Sequence, residues 1–286
     1  MQLVKHVLFI WFLGIVLFAK SQDPTDAKTA TESITNQQEA LSDTLPEADT
    51  VYRYKNSIEG GYRYENYFEG FSDRTFFYVQ YGRHLKQVDL FGRVLRYTLG
   101  GREGFQFETN AYWRFKKNGY AYFDAAYSNS PLLPNYRARA EWFRNSGQFE
   151  YSFGLGVMKP YNFKHIPVFT GTLGYYFGNY YVYVRPTFTY VDGITQSYFI
   201  QGRQYFTKTD YIAVSVLRGA DTGTSRDLTS VANEFGNDSY LIRANGVMKR
   251  GRYKFGAGID YGGIYIPERS QYAPFMGLDV FINREF

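Results

Sequence analysis

From Ser57 to the C-terminus, polar and apolar residues alternate at period two in one short segment after another, the pattern of strands whose two faces meet different surroundings. Gln148 to Val157 is the clearest case. Gln148, Glu150, Ser152, Gly154 and Gly156 fall on one face, and Phe149, Tyr151, Phe153, Leu155 and Val157 on the other. Phe105 to Phe115 opposes Gln106, Glu108, Asn110, Tyr112 and Arg114 to Phe105, Phe107, Ala111, Trp113 and Phe115. Tyr253 to Gly262 repeats the pattern. Strands are expected at 57–67, 75–87, 90–100, 104–116, 119–128, 135–145, 148–158, 167–177, 180–191, 194–206, 210–219, 239–249, 252–263 and 272–286.

Short turns at 87–89, 117–118, 146–147, 178–179, 208–209 and 250–251 alternate with longer connections at 68–74, 129–134, 159–166, 220–238 and 264–271. That asymmetry is expected of an all-β transmembrane antiparallel up-and-down β-barrel of about 14 strands, with 12 possible, whose turns face the periplasm and whose loops face outside. The loops with Ser130, Lys164, Thr224 and Glu268 then lie outside, and the turns with Asn118, Gly147 and Gly251 face the periplasm. A soluble β-sandwich or lipocalin-like barrel also alternates, but packs its apolar face inward. Against it stand apolar faces dominated by Phe and Tyr, glycines on the polar faces and an aromatic C-terminus.

Composition sharpens this picture. Aromatics are 20% of the 286 residues, with 29 Tyr and 26 Phe, yet mean hydropathy is −0.40. A barrel with a lipid face, a polar lumen and aromatic girdles reconciles the two. A helical span would need about 20 consecutive apolar residues, and the longest such run is Val7 to Ala19. Lys5 and His6 precede it and Ala19-Lys20-Ser21 follows, so residues 1–21 read as a signal peptide cleaved after Ser21. Residues 22–50 carry seven acids against Lys28 and read as a disordered periplasmic linker, leaving the barrel, 51–286, with 29 basic and 20 acidic residues. With no cysteine there is no disulfide framework and no lipid-modified cysteine, so attachment to the membrane falls to the fold.

The last strand places Leu278, Val280, Ile282 and Phe286 on one face, interrupted by Arg284, which is expected to snorkel to the periplasmic interface. That terminus resembles the signal read by the barrel assembly machinery, with Phe286 as its last element.

Four ordered blocks carry a family resemblance: Tyr127-Ser128-Asn129-Ser130 with Pro134-Asn135-Tyr136-Arg137; Phe169 to Tyr180; Arg185-Pro186; and Arg203-Gln204-Tyr205-Phe206. Through them the chain resembles the YaiO family of outer-membrane β-barrels from roughly Ser57 to Phe286. The resemblance implies an outer-membrane location, lipid contact and a connection with surface polysaccharide or envelope functions. It supplies no catalytic or ligand residues.

Alternation places Arg63, Arg96, Arg114, Arg137, Arg139, Arg185, Arg203 and Arg243 on lumen faces, together with Glu65, Glu108, Glu141, Glu150, Asp124, Asp260 and Asp279. They can form an anion-attracting ladder, or pair with one another and fill the barrel. Of the histidines in the barrel, His165 lies on the loop side and His84 toward the periplasmic end, with no recognisable catalytic motif around either. No metal-ligand spacing, phosphate loop, cofactor motif or route to nucleic acid is found. The expectation is a non-catalytic outer-membrane barrel, a narrow pore or an accessory to surface-polysaccharide assembly or export that meets polysaccharide-synthesis proteins. A passive anion-preferring channel and an outer-membrane lipid hydrolase are the alternatives.

Overall fold

The computed structural model describes residues 55–68, 71–115, 119–190, 193–220, 238–266 and 270–286. The signal peptide, the linker, the 117–118 turn, Thr224 and Glu268 lie outside the described residues, as does most of 220–238. The strands are β1 (Asn56–Tyr67), β2 (Arg74–His84), β3 (Val88–Leu99), β4 (Arg102–Phe115), β5 (Gly119–Tyr127), β6 (Tyr136–Ser146) and β7 (Phe149–Lys159). The wall continues with β8 (Ile166–Phe177), β9 (Tyr180–Tyr190), β10 (Ile194–Tyr205), β11 (Tyr211–Ala220), β12 (Asp238–Arg250), β13 (Tyr253–Ile266) and β14 (Gln271–Glu285). Each pairs antiparallel with its sequence neighbours, and β14 returns to β1, closing a 14-stranded barrel. Asn56 and Phe286 exchange both backbone hydrogen bonds at the seam, at 2.9 and 3.0 Å. Closure leaves no edge whose N–H and C=O groups would stand unpaired in hydrocarbon.

Strand ends fall within about three residues of the sequence expectation. β2 stops at His84 because the Leu85 N–H donates to the Val88 carbonyl at 2.8 Å, closing the turn early. β13 runs on to Ile266, so the connection to β14 is shorter than expected.

The wall is inside out relative to a soluble protein. Outward positions hold Phe107, Phe153 and Ile259 at 60, 57 and 62% exposure, whereas inward positions hold buried Arg63, Glu65, Arg139, Glu141, Arg185 and Asp260. In water such an apolar belt would cost about 25 cal/mol per Å²; facing lipid it is at home. At the turn end, Phe149, Tyr175, Phe177 and Tyr180 form a run of ring contacts with centroids 5.0 to 5.9 Å apart, part of an interfacial girdle. Arg284 is exposed on this outer face and lies over the Tyr253 ring, 5.8 Å from its centroid.

Two sequence expectations are corrected at the loop end. Segment 128–135 does not stand outside: Leu132 and Leu133 are buried in a cluster with Phe76, Leu95 and Tyr97, and Ser130 is buried with them. Arg96 points away from the lumen and pairs with exposed Glu103 at 2.5 Å. Its neighbours Leu95 and Tyr97 take the inward positions because the folded-in loop makes the interior apolar at that level.

Candidate functional site: the lumen and its cap

The cap is built from short polar links. The Ser128 hydroxyl donates to the Phe105 carbonyl at 2.6 Å and accepts from the Ser130 N–H at 3.1 Å, while the Ser130 hydroxyl accepts from the Leu132 N–H at 3.2 Å. The Asn135 side chain closes the loop on the Ser128 carbonyl at 3.3 Å. These bonds satisfy the backbone as it turns inward. Gly104 leaves room for it, since a Cβ there would collide with Ser130 Oγ. One of the blocks that carries the family resemblance is thus the block that caps the barrel.

Below the cap, register sets oppositely charged residues face to face. Arg93 pairs across the ladder with Glu108, Asp124 with Arg139, and Arg243 with Asp260. Directly opposed residues share a face, so each pairing delivers both charges to the lumen. In one network Arg63 binds Glu65 at 2.7 Å and Asp260 at 2.8 Å, and Arg243 binds Asp279 at 2.9 Å. In a second, Arg137 and Arg139 both hold Asp124, at 3.0 and 2.9 Å, and Arg137 also reaches Glu108 at 3.4 Å. In a third, Arg185 binds Glu141 at 2.5 Å, and the Ser152 hydroxyl donates to the same carboxylate at 2.6 Å. Glu150 accepts from the Tyr181 hydroxyl at 2.6 Å.

Between these networks lies a cavity of about 330 Å³ that extends from Pro134 of the cap past Tyr112, Arg203 and Tyr211 toward the turn end. Its wall carries Arg63, Arg93, Arg137, Arg139, Arg203 and Arg243 against Glu59, Glu108, Asp124 and Asp279. Glu65 and Asp260 stand outside the cavity lining, Glu65 paired to Arg63 and Asp260 to both Arg63 and Arg243. The Arg93 guanidinium donates twice to Gln80 Oε1, at 3.0 and 2.7 Å, over the Tyr78 ring. Arg203 donates to Gln201 and lies near the Tyr183 and Tyr211 rings.

Of the residues that alternation places on lumen faces, the cavity therefore unites Arg63, Arg137, Arg139, Arg203 and Arg243 with Glu108, Asp124 and Asp279. Arg185, Glu141 and Glu150 also face inward but sit in the packed wall beside it. Arg114 lies near the turn end, bonded to Asp89 and to the Leu85 and Lys86 carbonyls at 3.4 and 3.3 Å. Alternation already put Gln106, Asn110 and Tyr112 on the polar face of 105–115; sequence reasoning missed Arg93, Gln80 and the remaining tyrosines of the lining. It also missed a constellation at the turn end, in which Ser57 Oγ lies 3.2 Å from His84 Nε2 and His84 Nδ1 lies 3.0 Å from Asp89. The order of atoms is that of a catalytic triad. Yet Ser57 is 3% exposed, and Arg114 holds the other oxygen of Asp89. The chain Ser57–His84–Asp89–Arg114 ties four consecutive strands together at their turn ends. His165, the loop-side histidine, is exposed and hydrogen-bonded to Tyr136.

A closed antiparallel barrel with an apolar outer belt and an ion-paired lumen is an outer-membrane β-barrel. Its family follows from the sequence match: the YaiO membrane beta barrel domain model covers residues 55–225, more than half of the chain, and the protein belongs to that family. The match ends in the connection between β11 and β12, so β12 to β14 lie beyond it. No curated protein matches the sequence. Among solved structures, the outer membrane protein Omp33 of Acinetobacter baumannii is similar with a TM-score of 0.48 at 11% identity, covering 82% of this chain and 98% of that one. A bacterial polysaccharide outer membrane secretin gives 0.49 at 9% identity, covering 82 and 99%. An anion-selective porin from Comamonas acidovorans gives 0.43 at 10%, covering 81 and 98%. None of these similarities assigns an activity to this chain.

Proposed function

We propose that the protein is a non-catalytic barrel of the cell envelope, a narrow, capped conduit or accessory in surface-polysaccharide assembly or export. The observation that carries this reading is the polar, aromatic-lined cavity of about 330 Å³ beneath the inturned loop, which Pro134 of that loop helps to line. The envelope connection comes from the family resemblance. Deleting the gene should alter surface polysaccharide, and restoring the intact protein should reverse the change; an unaltered surface defeats the reading. The alternative of a passive anion-preferring channel draws on the six arginines that face four carboxylates in the cavity. It predicts anion-selective conductance in planar bilayers that weakens in Arg139→Gln and Arg203→Gln, and silent bilayers exclude it.

The non-catalytic part of the reading rests on Ser57, whose hydroxyl is buried and whose histidine's carboxylate partner is already neutralised by Arg114. A fluorophosphonate should leave purified protein unlabelled; labelling lost in both Ser57→Ala and His84→Ala would restore the hydrolase alternative. Phe286, which bonds β1 at the seam, is assigned to recognition by the barrel assembly machinery.

A further inference from the structure

We propose that the central cavity is a binding site for a short acidic glycan segment, a sugar unit bearing a carboxylate. The inference deepens the envelope reading above and rests on it only for where such a glycan originates. Four observations lead to it. The cavity, about 330 Å³, lies within the range of roughly 300 to 1,000 Å³ typical of small-ligand sites. Pro134 of the cap lines it on one side, and Tyr112, Arg203 and Tyr211 line it nearer the turn end.

Its wall has the two chemistries that a pyranose requires. The C–H face of a sugar ring is apolar and packs on aromatic faces, which Tyr78, Tyr112 and Tyr122 supply on one wall and Tyr211 on another. The Tyr112 and Tyr122 rings adjoin, with centroids 4.8 Å apart, while the Tyr122 hydroxyl is fixed by donation to Asn110 at 3.0 Å. Sugar hydroxyls radiate in the ring plane and are matched by planar side chains that donate and accept at once. Gln106, Asn110, Gln201 and Asn245 line the same space.

One of these amides needs a partner. Gln106 is 3% exposed, and its Nε2 has no hydrogen-bond acceptor among the described residues. Burying a donor without an acceptor is costly, and Gln106 lines the cavity. A sugar oxygen would satisfy it.

Charge selects among sugars. The surface presented to a ligand bears six arginines and four carboxylates, with Glu65 and Asp260 behind it against Arg63 and Arg243, so selection falls to the most loosely paired guanidinium, which takes a carboxylate through two parallel hydrogen bonds. Arg93 is that guanidinium: two of its donors are held by a neutral glutamine, and its plane is set by the Tyr78 ring. Its contact with Glu108, at 3.5 Å, is looser than the pairs of Arg63, Arg139 and Arg243 at 2.7 to 2.9 Å, so a ligand carboxylate competes for it.

The test is calorimetric titration of the purified full-length protein in detergent with a glucuronic acid trimer, a neutral glucose trimer, a glucosamine trimer and inorganic phosphate. Saturable binding of the acidic trimer at least tenfold tighter than the neutral one, with the cationic trimer weakest, is expected. Gln106→Leu, which keeps the side chain's size, should weaken both acidic and neutral trimers fivefold or more. Arg93→Gln should abolish the preference for the acidic trimer while leaving the neutral one within twofold, and a heat-modifiable band verifies that each variant is folded. No saturable heat with any sugar overturns the proposal. Cationic binding equal to acidic binding overturns it too, as does phosphate that competes as well as the trimer. Altered surface polysaccharide on deletion combined with no binding would sink this inference and leave the envelope reading; binding with an unaltered surface would do the reverse.

Discussion

The cap and the ionic belt beneath it both fill the lumen, and they do so by opposite physics. The cap buries Leu132 and Leu133 against Phe76, Leu95 and Tyr97, a non-directional contact that a short loop makes without any partner in the ladder. The belt holds Arg63, Asp260, Arg185 and Glu141 on strands whose backbone bonds fix them, so each charge has its counterion within about 3 Å. An apolar contact can be undone and remade at the cost of exposing its area. A buried ion pair cannot lose one member without stranding the other. The cap can therefore be released by trimming its leucines, whereas the belt answers to the loss of a single charge.

The largest effect should come from the belt. Glu141→Ala leaves the Arg185 guanidinium buried without its carboxylate and should cost about 3–5 kcal/mol, the usual penalty for orphaning a buried charge. Urea unfolding in detergent, followed by the fluorescence of Trp113 and Trp142, measures it. The double variant Glu141→Leu with Arg185→Leu should recover most of the loss. If single and double variants are equally unstable, the pair is not what holds that part of the wall.

A smaller effect on stability, but the larger one on access, should come from the cap. Leu→Ala in a packed core costs about 2–5 kcal/mol, yet a released loop need not unfold the wall. Leu132→Ala with Leu133→Ala should therefore shift the barrel's urea midpoint little. In the cysteine-free chain, Ser130→Cys should label slowly from outside intact cells and Lys164→Cys quickly, because Ser130 is buried and Lys164 exposed. The double leucine variant should bring Ser130→Cys to the rate of Lys164→Cys. Fast labelling without the leucine changes would show that the cap does not hold.

The wall was legible in the sequence because every strand has one face in lipid, and the Phe and Tyr on that face mark the phase. The interior was legible where the phase is unambiguous: Glu141 and Arg139 alternate with Trp142 and Ala140. It failed in β3, where Leu90, Val94, Leu95 and Leu99 put apolar residues on both faces and Arg96 was taken for Arg93. The turn held the missing signal. Gly100 and Gly101, with φ of +55° and +78°, make the two-residue hairpin that such glycines favour, fixing Leu99 opposite Arg102 and hence Arg93 opposite Glu108. Residues directly opposed share a face, so an inward Glu108 requires an inward Arg93. The cap was not legible, because Leu132 and Leu133 in a loop carry no period, and their burial depends on a pocket formed by β2 and β3.

The smallest effect lies outside both regions, and it tests whether the turn end is pinned as the cap is not. Asp210 follows the β10–β11 turn and accepts the Lys249 N–H at 2.7 Å, the Arg250 guanidinium at 2.8 Å and the Thr209 hydroxyl at 3.2 Å. Led by the Lys249 N–H, these bonds hold its carboxyl below the ordinary value of 3.8. A group whose pKa is lowered on folding adds stability that is fully present above its unfolded pKa and is lost as pH falls through its folded one. Wild type should therefore exceed Asp210→Asn by a constant small margin from neutral pH down to about pH 5, and the margin should close below about pH 4 as the carboxyl protonates. The asparagine keeps an acceptor for Lys249, so only the charged share of the interaction is removed. Urea midpoints of the two proteins across that pH range would read it. A margin that persists unchanged at pH 3 would mean that the turn is held by its hydrogen-bond geometry alone, and that the Asp210 charge contributes nothing to pinning the turn end.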